Sequence, residues 1–165
     1  MAVLPIRILP DPALRRKAKR VRNIDGSIQR LIDDMIETMQ AAPGVGLAAP
    51  QVGVQLRVIV FALPGEEVVA LLNPEVVKRS GERLVEEGCL SIPGYQGEIK
   101  RSLSVTVKGR DRQGRQVRIR ARDLLAEIIE HEIDHINGVL YIDHLESRDK
   151  LREIEPDQDT EATAI

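Results

Sequence analysis

Apolar residues recur at helical spacing in two stretches of the chain and at strand spacing between them. Ile24, Ile28, Leu31, Ile32, Met35, Ile36 and Met39 follow a three-to-four-residue interval, which predicts an amphipathic helix over 25–40. Pro43 and Gly44 stop it. Leu124, Leu125, Ile128, Ile129, Ile133 and Ile136 repeat the interval over about 123–137 with a wider apolar arc, so this helix is expected to be mostly buried. Asp123 stands where a side-chain cap would open it, and Gly138 where a left-handed residue would close it. Glu127, Glu130, Asp134 and Asn137 share a narrow polar edge. Upstream, Val3 to Leu9 is short and apolar, and Pro10-Asp11-Pro12 turns the chain. Residues 56–63 and 68–72 read as strands, with Asn73-Pro74 breaking the second, and 75–85 is extended in character. Val105 and Val107 on one arm and Val117 and Ile119 on the other form a hairpin over 104–121, turned by Asp111 to Gly114. Strands followed by a buried helix give an α+β fold: mixed or antiparallel β-sheets packed around the central helix at about 123–137, with an N-terminal amphipathic helix.

The central helix carries three ionisable residues on its buried side, His131, Glu132 and His135. Burying them without a partner is costly, and a metal ion is the economical explanation. The spacing His131-Glu132-x-x-His135 puts two imidazoles one turn apart on one face and leaves Glu132 beside them as a base for a metal-bound water. Peptidases share this spacing, so it does not name the reaction. A catalytic site of this kind takes three protein ligands and keeps one position open. Six residues beyond His135, where one protease clan has a third histidine, stands Tyr141. His144 lies past the helix-ending Gly138 and reads as surface. Cys89, within Glu87-Gly88-Cys89-Leu90-Ser91, is the remaining strong candidate, since a thiolate and two imidazoles make a tetrahedral set with water in the fourth place.

The first six residues of Gly44-Val45-Gly46-Leu47-Ala48-Ala49-Pro50-Gln51 imitate a dinucleotide-binding loop, but a helix precedes them where a strand is needed and Pro50 follows. The stretch reads instead as a small-residue loop that either lies against a ligand or packs tightly on a neighbouring strand. Its last residue, Gln51, carries an amide able to donate to an oxyanion.

Composition narrows the setting. The length of 165 residues suits one domain, set at 1–152, and residues 153–165 form an acidic tail expected to be disordered from Glu155. No apolar run approaches 18 residues and no signal pattern opens the chain, which argues against a membrane partner. One cysteine excludes an internal disulfide and fits a cytoplasmic setting. A net charge of -2 argues against nucleic acid, DNA included, as the main ligand. The basic run Arg15, Arg16, Lys17, Lys19, Arg20 and Arg22 is either solvated surface or a contact with ribosomal RNA or another anionic partner.

The stretches Gly44–Gln51, Glu87–Ser91 and His131–His135 resemble, in order and rough spacing, the three motifs of peptide deformylases. The resemblance runs from about Leu4 to Leu151. It departs at Glu130, where the family usually has Gln, and at Ile136, in place of the usual Leu. The resemblance implies an enzyme that removes the N-formyl group from formyl-methionine at the start of nascent polypeptides and releases formate. Cys89, His131 and His135 would hold Fe(II), with Ni(II), Co(II) or Zn(II) able to substitute, and a metal-bound hydroxide would attack the formyl carbon. Glu132 would move the proton, while the Gln51 amide and the Leu90 N–H would hold the oxyanion. Val45, Leu124 and Ile128 would wall the methionine pocket, the Gly46 backbone would pair with the peptide, and Glu87 would pair with Arg101. The partners implied are nascent N-formylmethionyl peptides, with the ribosome surface near the exit tunnel as a further candidate. Two rivals are a metallopeptidase sharing the histidine spacing and a non-catalytic metal-binding or ribosome-associated module that keeps the fold.

Overall fold

The computed structural model describes residues 2–154 and 165. Its six strands are β1 (Gly46–Ala48), β2 (Val58–Phe61), β3 (Val69–Cys89), β4 (Ile92–Arg110), β5 (Gln116–Arg122) and β6 (Leu151–Glu153). They form one sheet in the order β1-β2-β3-β4-β5, with β6 pairing β4, and every ladder is antiparallel. Helix α1 spans Gly26–Ala41 and helix α2 spans Asp123–Ile136.

Both faces of the β1–β3 end of the sheet are covered, which explains why β2 reads Val-Ile-Val-Phe without a polar residue. Successive side chains on a strand point to opposite faces. Val58 and Val60 join Leu72 in one apolar cluster with Ile28, Ile32, Met35 and Met39 of α1. Ile59 and Phe61 join Leu71, Val105 and Val107 in another with Ala126, Ile128, Ile129, Ile133 and Ile136 of α2. Helix α1 opens on Asp25, whose carboxylate accepts from the Ser27 and Ile28 amides at 3.0 and 3.2 Å. Helix α2 closes at Gly138, whose φ of +76° is the left-handed value that a residue with a Cβ adopts only under strain. Among the described residues no helix is long and apolar enough to cross a membrane.

Several expectations are corrected. Asn73-Pro74 does not break the strand. Asn73 takes φ +51°, the β3–β4 register shifts there, and its side chain ties to the Val21 backbone at 2.8 and 3.0 Å, so the strand bulges and continues. Asp123 does not cap α2: it sits at φ +55°, with Arg122 at the cap position and no side-chain hydrogen bond. Gly46–Ala48 is not loop but an edge strand, paired with 59–61. The polar edge of α2 is largely covered by β3 and β4. Glu127 and Glu130 are buried there and meet Arg83 and Arg79 at 3.2 and 3.0 Å, and Glu130 also takes the Ser102 amide and hydroxyl. Glu153, assigned to the tail, is the last residue of β6. The disorder expected from Glu155 falls on residues 155–164, outside those described.

Candidate metal centre

Helix α2 presents His131 and His135 one turn apart, and the end of the long β3–β4 hairpin carries Cys89 to them. The pairing Cys89↔Ile92 leaves Leu90-Ser91 as the tip. The ligand atoms of Cys89, His131 and His135 all lie within 4.8 Å of one another, and all three residues are buried. The two histidine Nε2 atoms are 3.1 Å apart, and Cys89 Sγ is 3.3 Å from His135 Nε2. Atoms bound to one tetrahedral ion at the usual nitrogen and sulfur distances sit about 3.3–3.6 Å from each other. The donor set therefore fits a cation. His144 is not part of the cluster; its Nε2 meets the Asp134 carboxylate at 2.9 Å on a half-exposed surface.

A buried chain of charges fixes the first histidine. Glu87 Oε2 meets His131 Nδ1 at 2.6 Å, which turns Nε2 toward the cluster. Arg101 grips Glu87 with two bonds of 2.9 and 2.6 Å and reaches Asp134 at 2.8 Å. Burial alone would raise Glu87, but His131 and Arg101 outweigh it and hold the carboxylate far below its ordinary range. Burial pulls His131 down, yet Glu87 and Cys89 reverse this and set it well above the usual value. His135 goes the other way, lowered by burial and by the neighbouring His131. Behind His131 the Tyr141 ring stacks at 6.5 Å and 24°, with its hydroxyl buried and unpartnered.

Glu132 is fully buried and neither carboxylate oxygen has a partner. Burial pushes it up to about 8, against the pull of His131. A buried carboxyl with no hydrogen-bond partner, beside a cluster that could hold a cation, is a candidate for proton exchange. Gly46 makes room for it: a Cβ at that position would run into the Glu132 carboxylate. Gly46→Ala is therefore expected to displace Glu132, keep bound metal and lower kcat by up to about 10²-fold, the scale for a catalytic group moved by an ångström. Metal analysis and steady-state kinetics on the same sample check this, and an unchanged kcat refutes it.

Gln51 is buried in the turn after β1. Its Oε1 accepts from the Ala48 amide at 2.9 Å, so its Nε2 faces the cluster, 3.8 Å from Cys89 Sγ and 3.1 Å from Ser91 Oγ. Val45 and Leu124 pack against the cluster that contains Ile128. The same cluster contains Ile165, fully buried, whose backbone oxygen accepts from the Leu90 N–H at 3.0 Å. Sequence reasoning missed Ser91, which holds the Gln51 amide, and the stacking of Tyr141. It also missed the steric role of Gly46. A conspicuous serine after the cysteine signals the first; nothing local in the chain signals the other two.

The chain is similar to known proteins over nearly its whole length. A family described as Polypeptide deformylase matches residues 3–151. A peptide deformylase of Dehalococcoides mccartyi (strain CBDB1) is 59% identical over 160 residues, covering 96% of each chain. One from Thermomicrobium roseum is 47% identical over 169 residues, covering 98% of this chain and 96% of that protein. Among solved structures, a peptide deformylase from Legionella pneumophila superposes with a TM-score of 0.87 at 48% identity, over 90% of this chain and 89% of that one. A Synechococcus elongatus peptide deformylase, solved in complex with actinonin, gives 0.86 at 42% identity, over 89% and 81%.

Proposed function

The chain belongs to the peptide deformylase family, metal-dependent hydrolases that remove the N-formyl group from nascent peptides, and from that premise we propose how its residues divide the work. Cys89, His131 and His135 hold the cation, which we assign as Fe(II), with Ni(II), Co(II) or Zn(II) able to take its place. A mixed thiolate and imidazole set suits all four, so metal analysis of anaerobically purified protein is the deciding measurement. What the cation supplies when bound is Lewis acidity, which makes water nucleophilic at neutral pH.

The rest falls to the chain's own groups. Glu132 takes a proton and delivers it to the departing amine, a role supported by its orphaned, burial-raised carboxylate. The Gln51 Nε2–H and the Leu90 N–H hold the oxyanion; Gln51 is fixed from behind by Ala48 and Ser91. Val45, Leu124 and Ile128 take the methionine side chain. Gly46 belongs to β1, which ends the sheet order, so an extended peptide can add alongside it.

The observation that carries this reading is the fully buried, unpartnered Glu132 beside three converging ligands. Formyl-Met-Ala-Ser should be processed and its acetylated twin left intact, and formyl-Asp peptides should be poorer by at least about tenfold in kcat/KM. Cleavage of internal amides without regard to the formyl group would instead favour a metallopeptidase.

We place the protein in the cytoplasm, near the ribosomal exit tunnel. The run 15–22 is threaded into the fold, with Ala18 and Val21 buried and Arg15 paired to Asp143 at 2.6 Å. A broader basic face supports the ribosomal partner: Arg118, Arg120 and Arg122 are exposed in alternation along β5, and Arg20, Lys108, Arg110 and Arg118 line one cleft, in which Glu75 offsets Lys108 at 3.7 Å. Changing Arg118, Arg120 and Arg122 to Gln should leave deformylation intact. It should flatten the salt dependence of ribosomal RNA binding by about 0.7–0.9 in slope for each phosphate no longer neutralised. An unaltered slope removes this face from the account.

A further inference from the structure

Leu90 is the first residue of the β3–β4 tip, and its N–H points away from the ladder that ends at Cys89↔Ile92. That donor is already engaged, by a backbone oxygen of Ile165 at 3.0 Å. The Ile165 side chain is 0% exposed and joins the apolar cluster of Ile128, against which Val45 and Leu124 pack. One residue of this chain thus takes both the backbone donor and the apolar surroundings that a formyl-methionyl peptide needs. We propose that Ile165 is a pseudo-substrate: seated in the pocket of its own chain, it competes in cis with formylated peptides.

This rests on reading Leu90 as a donor to the substrate. The chemistry of the occupant matches the pocket in two respects: an aliphatic side chain among apolar neighbours, and a backbone oxygen beside it that accepts from the Leu90 N–H. A competitor tethered to the enzyme leaves only a fraction of sites open, so the apparent affinity for substrate falls by that fraction while the rate of the filled site is unchanged. Burial of one isoleucine side chain, offset by the ordering of the residue, makes an effect of roughly three- to tenfold on KM. It is independent of enzyme concentration, because the contact lies within one chain.

The test uses the full chain in two forms, Ile165→Asp and Ile165→Leu. An aspartate cannot stay ionised in an apolar pocket, whereas leucine can refill it. Ile165→Asp should lower KM for formyl-Met-Ala-Ser by that three- to tenfold with kcat unchanged, and Ile165→Leu should behave as the parent protein. A second measurement needs no activity. In metal-free protein labelled with 13C at isoleucine δ1 methyls, the Ile165 signal is the one absent from Ile165→Leu. It should lie away from its position in an unstructured peptide and move to that position when Met-Ala-Ser is added. An unchanged KM in Ile165→Asp, or an Ile165 signal unmoved at saturating tripeptide, overturns the proposal. Loss of deformylation with methyl displacement retained would count against the assigned chemistry and not against the seating of Ile165, so the two readings fail separately.

Discussion

Glu132→Gln is expected to leave a folded, metal-loaded protein that deformylates at least about 10²–10⁴-fold more slowly than the parent. The metal should stay because the three converging donors are untouched and neither oxygen of Glu132 touches any of them by a hydrogen bond. Turnover should fall because glutamine can neither accept a proton from water nor pass one to the amine. A pH experiment on the metal-free protein checks the group independently of catalysis. Its folded pKa, about 8, lies above the ordinary carboxylate value of 4.5. The folded state therefore binds this proton more tightly than the unfolded chain does. The associated stability is fully present below pH 4.5 and is lost as pH rises through about 8. Glu132→Gln should remove that share of the decline in Tm between these limits. A variant with near-parent turnover, or an apoprotein whose pH dependence is unaltered, would sink the assignment.

Arg101 is expected to be the most damaging single truncation outside the ligands. Its side chain is 3% exposed and that of its partner Glu87 is 0%. Exposed ion pairs contribute little, but removing one member of a buried pair strands the other charge in a medium that cannot solvate it. Arg101→Leu should therefore destabilise the metal-free protein by about 3–5 kcal/mol, read from urea unfolding. It should also loosen the cation. Glu87 orients His131 through its Nδ1, and losing such support typically weakens metal binding by about 10–100-fold, measurable against a competing chelator. The double variant Arg101→Leu with Glu87→Leu separates the two effects. Stability should largely return once neither member of the buried pair is left without the other, while metal affinity should stay low because nothing holds the His131 ring. Recovery of both together would mean that Glu87 positions nothing.

How much of this was legible in the chain depends on the range of the interactions involved. The two helices were readable because their apolar residues repeat within one turn, a local property that survives any tertiary arrangement. The pairing of His131 with His135 was readable for the same reason, since a four-residue interval on a helix puts two rings on one face wherever the helix lies. Cys89 is 42 residues from His131, and its candidacy came from elimination and resemblance; the β3–β4 hairpin is what closes that distance. Covering a surface was not legible at all. Glu127 and Glu130 look like a solvent edge until β3 and β4 lay Arg79, Arg83 and Ser102 over them. Asn73-Pro74 looks like a stop until the side chain of Asn73 finds Val21, which turns a break into a bulge. Gly46 looks like an ordinary flexible glycine until α2 brings Glu132 against its Cα. The sequence by itself determined the local periodicity and the chemical type of each donor. The tertiary structure alone decided which polar groups lose water and which receive a partner in exchange, because desolvation depends on what the rest of the chain places nearby. That is why Glu87 finds a guanidinium and Glu132 finds none.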